Sequence, residues 1–261
     1  MGRAIVTVAA GSPTADEPRR AAWAWYPAQP GSADGAPRVD YVPDGWSGPS
    51  TLPPTVGPGW LLQDVGAVTA WARRDAPPAS GPAPVVVLAP GFETAPWRYT
   101  TLDEELASRG RVVALLVPPT TPARVVDGRQ RTSPAAPATP TGAEVDTQIH
   151  RQAADMTALL DAFISADSPA PGPVDTRRTS SPPTSTATIA GAGHNAFGDP
   201  VHYFVAPPAG AAAGIGDIPA HRMHIVLTST LDTTINELLH NGRIVDPSTA
   251  TDLPELVRGS G

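Results

Sequence analysis

The sequence predicts an α/β fold: a mostly parallel sheet with flanking helices, joined by long proline-rich loops. Val85-Val86-Val87-Leu88, and Arg111–Val117, which is apolar after its first residue, have the composition of strands buried on both faces of a sheet. A helical pattern lies between them, so about thirty residues form a strand–helix–strand unit whose crossover should be right-handed. The chain also carries 33 prolines among 261 residues, far above the usual share, which assigns much of it to loops.

The elements follow in order. Ile5–Ala9 and Ala21–Tyr26 read as strands, the second closed by Pro27, which cannot donate to a ladder. Residues 28 to 59 are rich in Gly, Pro, Ser and Asp and read as loop. Leu61, Leu62, Val65, Val68 and Trp71 fall near helical spacing, predicting a short helix from Leu61 to Arg74. Leu102 and Leu106 share one face of a helix over Tyr99–Ser108, with Gly110 as its stop. Residues 118 to 143 carry eight prolines or glycines and read as irregular. Ile149, Ala153, Met156, Leu159, Leu160 and Phe163 form the apolar stripe of a long helix, Glu144–Ile164. A Ser/Thr/Pro-rich joint occupies 165–185, Thr186–Ala190 is a short strand, and a last helix spans Pro219–His240 before Asn241-Gly242.

Composition excludes several function classes. The formal charge is −7, and the basic residues are all Arg without a clustered basic patch, so no nucleic-acid partner is expected. The absence of cysteine removes disulfides, thiolate metal sites and a cysteine nucleophile. His202, His221, His224 and His240 lack metal-ligand clustering, so neither metal nor cofactor is expected. Met1–Ala10 matches a strand better than a signal peptide, and no apolar run approaches the roughly 18 residues of a membrane span. The expectation is a soluble protein, cytoplasmic or of unassigned compartment.

A glycine-framed histidine stands out in Ile189-Ala190-Gly191-Ala192-Gly193-His194, followed by Phe197 and Asp199. It is joined, in chain order, by Trp25-Tyr26-Pro27-Ala28, Val85–Phe92 with its Ala89-Pro90-Gly91-Phe92 turn, Tyr99–Gly110, Val126–Arg129, Ala154–Asp161 and the tail to Pro254-Glu255. Over some two-thirds of its length the chain resembles a platelet-activating-factor acetylhydrolase-like member of the α/β-hydrolase superfamily. The resemblance implies one hydrolase-like domain over 1–261 acting on small ester or lipid substrates. It makes His194 the catalytic base and puts the oxyanion-hole turn at Gly91 and Phe92. A glycine turn leaving a buried strand can aim a backbone N–H at a developing oxyanion, although a plain strand-ending turn has the same sequence.

The departure from the family is equally plain. No G-x-S-x-G occurs, whereas the family displays its serine on that strained strand-to-helix turn. Between Asp161 and Gly191 lie 29 residues, and a nucleophile strand, its helix and an acid-bearing loop need roughly 60 to 100. The alternative elbow Gly193–Gly198 puts Asn195, which is no nucleophile for esters, in the serine position. Ser108, Ser165, Ser168, Ser180, Ser181 and Ser185 lack an activating turn, and Asp155 and Asp161 read as capping or solvated carboxylates. The reading is therefore an internally truncated, incomplete α/β-hydrolase-type sheet, catalytically impaired, with an exposed sheet edge open to self-association. The competing readings are a non-catalytic binding or scaffold protein, and a decayed or wrongly read gene product.

Overall fold

The computed structural model describes residues 1–32, 35–46, 67–91, 94–133, 141–176, 187–189, 192, 197–199, 216–242, 246 and 252–258. The chain forms two compact units, one of Met1–Pro49 with Asp64–Thr176, the other of Ser50–Gln63 with Arg177–Gly261.

The first unit is built on a six-stranded mixed sheet flanked by helices. Its strands are β1 (Gly2–Ala9), β2 (Arg19–Tyr26), β3 (Arg38–Asp40), β4 (Thr69–Arg73), β5 (Val85–Leu88) and β6 (Val112–Leu116), in the order β3-β4-β1-β2-β6-β5. The predicted α/β class holds, but parallel pairing is confined to β5–β6 and the single β1–β4 pair, while β1–β2, β2–β6 and β3–β4 are antiparallel. The reason is local: β1 and β2 are joined by a short connection, which permits an antiparallel hairpin, whereas β5 and β6 are linked through a helix.

Alternation along the strands explains the three layers. In β2, Ala22, Ala24 and Tyr26 join Val112, Ala114 and Leu116 of β6 in one core, which Leu159 and Phe163 close from helix α2 (Gly142–Ile164). The other side chains of β2, Trp23 and Trp25, are fully buried on the opposite face, where helix α1 (Thr100–Ser108) packs against β2 and β6. Trp46 meets Trp23 edge-on at 5.1 Å. A 3₁₀ turn, Pro96–Tyr99, leads into α1.

Three expectations are corrected. Thr69–Arg73 is strand rather than the end of a helix, because Ala70 and Ala72 alternate inward while Trp71 is 68% exposed beneath the Arg38 guanidinium. Residues 61–66 of that predicted helix lie outside the described residues. Within 118–143 the chain forms a hairpin of β7 (Ala123–Val126) and β8 (Arg129–Thr132), turning on Asp127-Gly128. Both turn residues have positive φ, 50° and 71°, the type I′ geometry that an Asp-Gly pair favours. Finally, Asp155 is neither a cap nor solvated. Its Oδ2 accepts from Arg20 Nε at 2.7 Å, a pair buried beneath the surface, and its Oδ1 accepts from the Ser12 N–H at 2.8 Å. Gly11 makes this possible, since a Cβ there would strike the Ala154 backbone. Asp161 is exposed, and of the predicted stripe Ile149 faces solvent as well.

α2 starts on a full capping box between Thr141 and Glu144. In the second unit, β9 (Ala187–Ile189) pairs antiparallel with β10 (Leu256–Arg258). Helix α3 (Ala220–Asn241) contributes Met223 and Val226 to a core with Ile189, Ile218, Leu253 and Leu256. Arg222 of α3 clamps Glu255 with two bonds of 2.6 and 2.8 Å.

Candidate active site

The turn after β5 is the best-formed part of the candidate site. Leaving the strand, the chain exposes Gly91, whose N–H donates to the Tyr99 hydroxyl at 3.4 Å. Gln152 of α2 donates to the Pro90 carbonyl at 2.9 Å, and the Thr94 N–H returns to the Gly91 carbonyl at 3.1 Å. Buried Thr121 donates its hydroxyl to the Thr94 carbonyl at 3.5 Å. The loops and helices on both sides of the sheet thus hold the backbone in which an oxyanion donor would sit. Tyr99 lies within the sequence match, but nothing in the periodicity of α2 singled out Gln152.

Phe92 and His194 lie outside the described residues. The approach to His194 is anchored: Ile189 is buried in the second unit's core, and Ala192 donates back to its carbonyl at 3.2 Å. Beyond it, Phe197 is 40% exposed and Asp199 is buried.

Of the serines weighed in the sequence, those described do not have the surroundings of a nucleophile. Ser108, Ser165 and Ser168 donate their hydroxyls to the carbonyls of Glu105, Ala162 and Phe163 at 2.6 to 2.8 Å, as residues at helix ends do. Ser180, Ser181 and Ser185 fall outside the described residues. Among the described residues no group of three or more His, Asp or Glu side chains is placed to hold a metal ion, and no helix is long and apolar enough to cross a membrane.

The turn after β5 lies at the edge of the sheet. Among the described residues β5 ends the sheet, and its four residues are only half-buried, in contrast to the fully buried β6. After α2 the chain returns to this edge: Ala83 and Val174 form a parallel bridge, with Ala83 N–H to Pro173 O at 3.0 Å and Asp175 N–H to Ala83 O at 2.8 Å. The residues that continue from this bridge, Arg177–Ser185, contain two prolines and no glycine.

The buried charges of this unit are structural. Glu104 of α1 accepts the Ala72 N–H at 2.5 Å, and burial holds its carboxyl above the usual range against the opposing pull of the Ala72 and Trp71 N–H groups and Arg3. Burial likewise lowers Arg3 to about 10.

Comparison with known proteins supports the architecture. No family model and no curated protein matches the chain. Among solved structures, the chain is similar to a ferulic acid esterase from Streptomyces cinnamoneus, with a TM-score of 0.71 at 18% identity over 98% of this chain and 95% of that one. The likeness is one of fold: a mixed sheet of six strands with flanking helices, of α/β-hydrolase-like type.

Proposed function

We propose that this chain is a carboxylic-ester hydrolase by descent, one hydrolase-like domain over 1–261, whose catalytic centre lacks its nucleophile. In this reading His194 is the remaining base and Gly91 with Phe92 the oxyanion turn. The observation that supports it is the chain's return to the β5 edge at Val174, beside which the superfamily it resembles mounts its nucleophile; the sequence that continues, Arg177–Ser185, has two prolines and none of the glycines a serine elbow needs. Nucleophile, base and oxyanion donors act as one unit, so losing the serine removes covalent catalysis while leaving some transition-state stabilisation. The ancestral substrate class is a small ester: a short acyl ester, as the platelet-activating-factor acetylhydrolase resemblance suggests, or an aromatic acid ester like that of the structural neighbour.

The test is turnover of a short-chain nitrophenyl ester and of methyl ferulate by the whole chain. Rates near the uncatalysed background, unchanged by His194→Ala, with no serine labelled by a fluorophosphonate, are expected. Turnover abolished by His194→Ala, with one serine labelled, would overturn the impairment. Saturable binding of a non-hydrolysed ester without turnover would favour a binding or scaffold role.

A further inference from the structure

The β7–β8 hairpin gathers arginines on one face. Arg124 and Arg131 stand directly opposite each other in the ladder, and Val126 opposes Arg129, so Arg124, Arg129 and Arg131 project together. Like charges in register destabilise a hairpin unless something neutralises them. Glu17 does so for Arg124, with bonds of 2.6 and 3.0 Å, and Arg124 also donates to Ser133 Oγ at 2.7 Å. Arg19 takes Asp127 at 3.2 Å. That leaves Arg131 and Arg129 without an ion pair to a described residue, and Arg131 Nε is buried with no hydrogen-bond partner.

Arg129 and Arg131, with Arg19, line a cleft of about 290 Å³ between the hairpin and the Asp16–Arg19 segment. Its lining holds three guanidiniums, Arg19, Arg129 and Arg131, and three carboxylates, Asp16, Glu17 and Asp127. Two of those carboxylates are already engaged by Arg124 and Arg19, and Asp16 is exposed. A buried guanidinium N–H is costly unless it has an acceptor, and the guanidinium fork matches the paired oxygens of a carboxylate or phosphate.

We propose that this cleft binds a small oxyanion, a carboxylate or phosphate held by Arg131 and Arg129. Its walls are almost entirely charged, with only Pro18 and Val126 apolar, so it suits a small polar acid and not an acyl chain. The site is independent of the ester chemistry, and its readout is binding.

Calorimetric titration of the whole chain at low ionic strength, with inorganic phosphate in one arm and succinate in the other, tests it. Saturable binding to one site in either arm is expected, weakened at least about tenfold by Arg131→Gln and by Arg129→Gln. Arg109→Gln removes the same charge at an exposed pair with Glu105 and should leave binding unchanged. Phosphate alone, succinate alone or both would each support the site and name its chemistry. No saturable heat in either arm, or equal weakening by Arg109→Gln and Arg131→Gln, would overturn it. Thermal unfolding of Arg129→Gln, whose side chain is exposed, provides a variant in which loss of binding cannot be loss of fold.

Discussion

Arg20 and Asp155 bring two distant parts of the chain together beneath the surface, with side chains 3% and 1% exposed. Removing one member of such a pair leaves the other charge without compensation, which costs far more than the pair contributes. Asp155→Ala should therefore destabilise by about 3–5 kcal/mol in urea unfolding, whereas the apolar double replacement Arg20→Met with Asp155→Leu should recover most of the loss. A loss below about 1 kcal/mol for the single change would mean that Arg20 is sustained by its bonds to the carbonyls of Ser12, Glu17 and Arg19. Glu104 makes a pH-dependent contribution of the opposite kind. Because burial raises its carboxyl above the usual value, the stability it contributes is fully present below the unfolded-state value and is lost as pH rises through the folded one. Glu104→Gln cannot ionise and keeps an acceptor for the Ala72 N–H. Relative to wild type, it should gain stability as pH climbs from the carboxylate range to neutrality, and parallel unfolding curves for the two proteins would exclude this. Neither contact was legible beforehand. A lone Asp in a helix reads as solvated until the fold supplies a partner 135 residues away.

At the level of elements, local signals were most reliable where the period was long or the turn chemistry specific. α2 and α3 formed within a few residues of their predicted bounds, since amphipathic spacing, a capping box and a terminal glycine act independently of the rest of the chain. Thr69–Arg73 went the other way: a few apolar residues fit both periods, and the sheet imposed the two-residue one. The β7–β8 hairpin was signalled by Asp127-Gly128 next to Val125-Val126, within a segment that its prolines made look irregular. Gly128, at φ 71°, tests that turn. Gly128→Val places a branched side chain in the left-handed region, and should cost about 1–2 kcal/mol and speed amide exchange in β7 and β8 while sparing β2 and β6.

For the whole molecule, the edge at β5 matters most. An apolar strand at the end of a sheet, with one parallel bridge beyond it among the described residues, is a template for pairing with another chain. Sedimentation should show self-association that grows with protein concentration, and a monomer at every concentration with a sharp cooperative melt would refute it. The sequence by itself determined the α/β class, the strand–helix–strand unit from β5 to β6, the long helices, and the absence of a serine elbow. Each is written in a local period or motif that needs no distant partner. Only the tertiary structure decided the mixed sheet, the burial of Asp155, the edge position of β5 and the arginine-lined cleft. Those depend on which strands become neighbours, and strand pairing joins residues whose separation along the chain leaves no trace in any local pattern.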